Sequence, residues 1–185
     1  MTDPQVAFAA PGSARTAREL GWRRVLVVGC AGAGKTTFAV RLAEVLGLPV
    51  IHLDSEYWRP GWEHTPADEW PILVDDLVGR DRWVMDGNYG GTLERRLARA
   101  HAVVFLDVAR LTCLRRVILR SWRYRGRPGP GLPDGCPERL EWQFLIWVWN
   151  FERRSRGRVV SLLAGSGLPV VHLRRLQEAE RWLTT

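Results

Sequence analysis

The segment Gly29-Cys30-Ala31-Gly32-Ala33-Gly34-Lys35-Thr36-Thr37 fits G-x-x-x-x-G-K-[ST]. At that spacing, backbone amides, an ammonium and a hydroxyl converge on nucleotide phosphates. Gly29, Gly32 and Gly34 let N–H groups turn inward and approach phosphate oxygens closely. A helix opening near Lys35 adds its positive end. Gly29, Gly32, Ala33, Gly34, Lys35, Thr36 and Thr37 are therefore the expected ATP-binding set. Lys35 reaches for the β- and γ-phosphates, and Thr36 ligates Mg²⁺. The chain has one lysine, Lys35, and 26 arginines. A single lysine at this position reads as a need for a compact ammonium in place of a planar fork.

The flanking elements suit the loop. Val25-Leu26-Val27-Val28 is a short β-branched apolar run, as in a buried parallel strand. Phe38, Ala39, Leu42, Val45 and Leu46 recur at helical spacing, and Gly47 reads as the C-cap. Four more apolar runs follow: Pro49–Leu53, Arg82–Met85, Ala102–Leu106 and Pro169–Leu173. Helical patterns lie between them, over Thr65–Val78, around Leu93–Leu97, over Leu111–Arg123, over Glu138–Ala164 as two helices broken near Gly157, and over Leu176–Leu183. The expected fold is a three-layer α/β domain with a five-stranded parallel sheet and helices on both faces. Ligands of such sheets bind beyond the carboxyl ends of the strands. That selects the neighbourhood of Gly29, Asp54, Asp86, Asp107 and Arg174. Residues 1–22, rich in Ala, Pro, Gly and Arg, read as a loose leader with one short helix near Ala14–Leu20. Residues 23–185 read as a single domain.

Composition narrows the class. At 185 residues, 46% hydrophobic and 25% charged, the chain is an ordinary globular one. No run of about 18 apolar residues exists to span a membrane, and no secretory pattern opens the chain. Cys30, Cys113 and Cys136 are scattered, without metal-site spacing; free thiols in the cytoplasm are the expectation. Net charge is +7, and residues 110–158 alone hold 12 arginines against four acids. Such a segment suits nucleic acid or arginines gathered around phosphates. The apolar run Trp142–Val148 reads as a helix that is buried or at an interface, so the chain is expected as a monomer or a homodimer.

Several blocks together resemble a known group: GCAGAGKTT, HLDSEYWRPGW, WVMDGNYGGTLERRL, VVFLDVARLTCLRRV, GCPERLEWQFLIWVWNFERRS and the late HLRR. They are similar to the adenylate-kinase-like P-loop kinases, and most to the FlaR-like "DNA topology modulation proteins", over roughly residues 24–176. The resemblance implies an ATP- and Mg²⁺-dependent phosphotransferase acting on a nucleotide, nucleoside or hydroxylated metabolite. The family's name implies the alternative, a nucleic-acid-associated NTPase.

The resemblance also assigns roles. Asp86 supports Mg²⁺, with Asp107 second. Asp54 orients or deprotonates the acceptor, within an acceptor-side insertion at about 54–80. Arg116 and Arg120, four apart on one helix face, lie over adenine. Arg123 leads into an arginine-rich lid at about 123–139, and Arg153, Arg154 and Arg156 follow it. Phosphoryl transfer needs positive charge on the equatorial oxygens, which makes Arg123, Arg153 and Arg154 catalytic candidates. His52 and His172 read as packed strand residues, and Tyr57, Trp58 and Trp62 as an aromatic wall or packing cluster.

Overall fold

The computed structural model describes residues 12–184. Five strands form one parallel sheet: β1 (Arg24–Gly29), β2 (Val50–His52), β5 (Trp83–Asp86), β6 (Ala102–Leu106) and β7 (Val170–Leu173). Their spatial order is β2-β5-β1-β6-β7. The remaining strands, β3 (Trp58–Arg59) and β4 (Glu63–His64), pair antiparallel as a separate hairpin. Register places Val27 beside Asp86 and Gly29 beside Leu106. The order reverses at β1, so the crevice for ligand lies at its carboxyl end. The phosphate loop occupies that end.

The strands of this sheet are mostly apolar because both faces are covered, with Arg24, His52, Asp86 and His172 as the charged or polar exceptions. Val25 and Val27 point into one core with α1 (Ala14–Glu19), α2 (Lys35–Leu46) and α9 (Leu176–Thr184). Leu26 and Val28 point into the other, with α4 (Glu69–Gly79), α5 (Leu93–Leu97) and α8 (Gly157–Gly165). Alternate residues of one strand thus serve opposite layers. A short helix, α3 (Leu53–Tyr57), starts directly at the end of β2 and carries Asp54 in its first turn.

Three local expectations change. Ala14 and Ala17 are fully buried in the first core. From Ser13 onward the expected leader is therefore part of the packed body; residues 1–11 lie outside the described residues. Ser13 caps α1 by accepting from the Thr16 amide, which fixes where that helix starts. The helix expected from Thr65 begins at Glu69. The third concerns residues 138–164. Regular helix starts at Trp142, and Gly157 is in ordinary helical conformation. The irregularity lies before it: α7 (Trp142–Phe151) runs through a π-helical turn, Glu152–Arg156, into α8. Glycine lowers helix propensity without forcing a break, and the widened turn re-aims the arginines around it.

Candidate active site

The phosphate loop packs against α6 (Arg110–Arg123) so closely that a Cβ on Gly32 would lie 2.3 Å from the Cys113 carbonyl oxygen. Only glycine fits there. Lys35 Nζ donates to the Cys30 carbonyl at 3.0 Å, so the ammonium spans its own loop. The loop is tied to its neighbour by Gly29, whose amide donates to Asn88 Oδ1 at 3.0 Å.

At the entry of α2, the Thr36 hydroxyl donates to Asp86 Oδ2 at 2.9 Å. His52 Nδ1 lies 2.5 Å from Asp86 Oδ1. Asp86 is buried. Its hydrogen bond raises the His52 pKa above the ordinary value, against the opposing effect of burial. The Thr36 hydroxyl and the Asp86 carboxylate are adjacent hard oxygen donors. That set fits Mg²⁺, which takes one or two protein oxygens and fills its octahedron with water and phosphate. Among the described residues no three His, Cys, Asp or Glu side chains converge, so no all-protein cage competes.

A cavity of about 910 Å³ extends from this corner. Ala31, Gly32, Gly34, Lys35, Thr36 and Thr37 line it, together with Asp54, Trp58 and Gly87–Gly91. The Tyr89 hydroxyl donates to Asp54 Oδ1 at 2.7 Å. Burial, and then the Asp54 charge, push the Tyr89 pKa upward, so it stays a neutral donor. The third wall is one stripe of the α7–α8 helix: Phe144, Trp147, Phe151, Arg154, Arg158 and Leu162.

The arginines divide. Arg116 lies over the loop, its Nη1 3.2 Å from where a Gly34 Cβ would be. That Nη1 is buried without a partner, a donor aimed at the phosphate loop. Arg123 and Arg154 line the cavity, and Arg153 does not. Arg120 also lines it, but its guanidinium is 2.7 Å from the buried Glu138 carboxylate. Arg120 thus also ties α6 to the segment that follows it.

The segment between α6 and α7, the expected lid, crosses to the stretch that follows β2. Ser55 donates to the Gly131 carbonyl at 2.8 Å, Gly61 to the Gly135 carbonyl at 2.9 Å, and Trp62 Nε1 to the Pro137 carbonyl at 3.1 Å. Gly131 has φ +80°, and a Cβ on it would lie 3.0 Å from the Thr36 methyl. The Pro/Gly-rich run is the composition this close crossing demands.

Some functional positions escape sequence reasoning. Arg96 is fully buried and clasps three carbonyls, donating to Gly87 at 3.1 Å, Asn88 at 2.5 Å and Tyr89 at 3.0 Å. It thereby shapes the loop that presents Asn88 and Tyr89. Burial lowers its pKa to about 9, so the charge persists at neutral pH. The only signal was a charge between Leu93 and Leu97 on the inward face. Arg96→Met leaves those carbonyls unanswered and is expected to cost about 3 kcal/mol of stability, read from the urea midpoint. Arg158 was also not singled out, and Phe144 and Trp147 were read only as part of a buried or interfacial helix, not as a cavity wall.

Both strand histidines are paired with strand-end carboxylates, not merely packed. His172 Nε2 lies 2.9 Å from Asp107 Oδ2, and Arg156 holds the same carboxylate through Nε and Nη2. Asp107 is therefore committed to an ion-pair cluster that fixes the π turn, and is not a metal-side residue. Burial alone would raise its pKa, but the His172 and Arg156 hydrogen bonds hold it well below the usual carboxylate range. The folded-state pKa is depressed, so the stability it contributes is present above the unfolded value of about 3.9 and lost below it. Asp107→Asn should cost roughly 2–3 kcal/mol at neutral pH, the low side for a buried pair because Arg156 is partly exposed. The loss should shrink as pH falls below about 4, in urea titrations at both pH values.

No protein-family model matches this chain, and no curated protein matches it. Solved structures do. Shikimate kinase from Bacteroides thetaiotaomicron superposes with TM-score 0.52 at 16% identity, over 88% of this chain and 95% of that one. Shikimate kinase from Acinetobacter baumannii, in complex with shikimate, gives TM-score 0.58 at 19% identity, over 92% and 93%. A gluconokinase from Sinorhizobium meliloti 1021 gives TM-score 0.50 at 19% identity, over 88% and 91%. At these identities the likeness is one of fold: the chain shares the α/β architecture of these structures, a five-stranded parallel sheet with helices.

Proposed function

We propose that this protein is an ATP-dependent phosphotransferase whose acceptor is a small hydroxylated carboxylic acid. The observation that carries this is one cavity lined both by the phosphate loop with Lys35 and Thr36 and by Asp54, which is fixed by Tyr89.

The loop amides and Lys35 bind the triphosphate, and Thr36 and Asp86 would hold Mg²⁺. The metal, when bound, neutralises charge between the β- and γ-phosphates. Arg116, Arg123 and Arg154 supply positive charge to the transferring group. Tyr89 occupies Asp54 Oδ1, which leaves Oδ2 to accept the acceptor hydroxyl's hydrogen bond and then its proton. The lid crossing at Gly131 excludes water, which favours transfer over hydrolysis. Catalysis is positioning and charge, with no covalent intermediate.

The acceptor class follows from charge. Asp54 wants hydroxyls; Arg154 and Arg158 in the same cavity suit a carboxylate, which a guanidinium binds bidentately. A shikimate-bound kinase and a gluconokinase among the similar structures support that reading. The sequence blocks support a place among FlaR-like kinases, and the three free thiols support a reducing compartment, the cytoplasm. Among the described residues no helix is long and apolar enough to cross a membrane.

The test is ADP release from Mg·ATP with separate pools of polyols, hydroxy acids, nucleosides and nucleoside monophosphates, with Lys35→Ala as the blank. Stimulation by the hydroxy-acid pool is expected. Stimulation by the nucleoside or nucleotide pools alone would overturn the acceptor class.

A further inference from the structure

The outer faces of α6 and α7 hold the largest apolar side chains the described protein leaves in solvent. Trp122 is 78% exposed, Trp142 79% and Trp149 42%; Leu111, Ile118 and Ile146 are also exposed. Each helix contributes a stripe. Leu111, Arg115, Ile118 and Trp122 are spaced i, i+4, i+7, i+11 on α6; Trp142, Ile146 and Trp149 are spaced i, i+4, i+7 on α7. Such residues share a face.

The two stripes are neighbours. Arg110, opening α6, stacks 4.4 Å from the Trp149 ring and pairs with Glu152 at 4.0 Å. The helices are therefore antiparallel, with Trp122 at the same end as Trp142. The buried sides of both helices are already committed: Cys113 and Val117, with Leu145 and Val148, belong to the core. The cavity takes Arg116, Arg120 and Trp147. The outer stripes serve neither.

We infer that this two-helix face is the docking surface for a second copy of the same chain, making a four-helix contact about a two-fold axis. Area supports it. At roughly 250 Å² for a full-sized aromatic side chain, the three indoles leave on the order of 500 Å² in solvent. With the three aliphatic side chains, the face approaches the ~800 Å² that each partner buries in a standard interface. A patch this large is unusual on a monomer.

Geometry and charge support it too. Two antiparallel helices present a face that a two-fold copy matches with its own, and four-helix packing follows. Of the flanking arginines, Arg110 pairs with Glu152 and Arg139 with Glu141. Arg115 is the one charge within the stripes, and the second copy's indoles offer it aromatic faces.

This does not rest on the kinase reading, because the readout is mass. Sedimentation equilibrium of the full chain at about 10 μM should report twice the 21.1 kDa protomer, a concentration well above the Kd of a standard-size interface. Trp122 and Ile146 belong to neither core, so Trp122→Glu and Ile146→Glu should each keep the wild-type circular dichroism, with a melting temperature lowered only by the loss of the dimer. Each should weaken dimerisation at least 100-fold, because the two-fold repeats every substitution. A wild type that stays monomeric at about 100 μM, where even weak two-fold contacts populate, overturns the inference. So does a dimer unchanged in the double variant. A monomer that instead binds anionic vesicles or single-stranded DNA through these residues also overturns it.

Discussion

Lys35→Ala should lower kcat/KM for Mg·ATP about 1,000-fold, roughly 4 kcal/mol of transition-state stabilisation. The ammonium lies inside the loop, bonded to the Cys30 carbonyl, and the chain holds no second lysine to replace it. Lys35→Arg should rescue little. The guanidinium is a planar fork, and the loop beneath is pinned by the Gly32–Cys113 contact. Steady-state kinetics with either variant within tenfold of wild type would contradict the assignment. The fold should survive, because Lys35 packs into neither core.

Asp54→Asn separates acceptor chemistry from nucleotide binding. Asparagine keeps the shape and still accepts from Tyr89, but cannot take a proton. The expected loss is in kcat, about 10²- to 10⁴-fold as for a general base, with KM for ATP unchanged. Tyr89→Phe frees the carboxylate to rotate and should cost less, about tenfold in kcat. A KM-only effect in Asp54→Asn would reduce the residue to a binding group. An unchanged kcat would move the acceptor elsewhere in the cavity.

Much of this was legible from residues. The placement of Asp86 beside the loop strand followed from the family resemblance; the phosphate loop and the five strands followed from apolar periodicity and glycine spacing. Those signals are local and repeat at a fixed period. What escaped depends on contacts between distant segments. Asp107 looked like a second metal-side acid because it ends a strand; Arg156, 49 residues later, claims it. The Arg120–Glu138 pair likewise joins two segments, and neither stretch announces it alone. Arg96 was invisible because a buried arginine and a surface arginine read alike until three carbonyls surround it. The π turn also left no mark, since it is an extra residue per turn, not a change of composition. Arg154 and Arg158 face the cavity, while Arg156 reaches Asp107 at the end of β6.

The most direct test is the fate of the γ-phosphate. Phosphorus NMR of Mg·ATP with the wild type and a hydroxy-acid pool should show a new phosphate ester growing in step with ADP, at a rate unaffected by added DNA. Inorganic phosphate as the sole product, released only with nucleic acid and suppressed by salt, would contradict the account. It would make the arginines of 110–158 a backbone-binding surface instead.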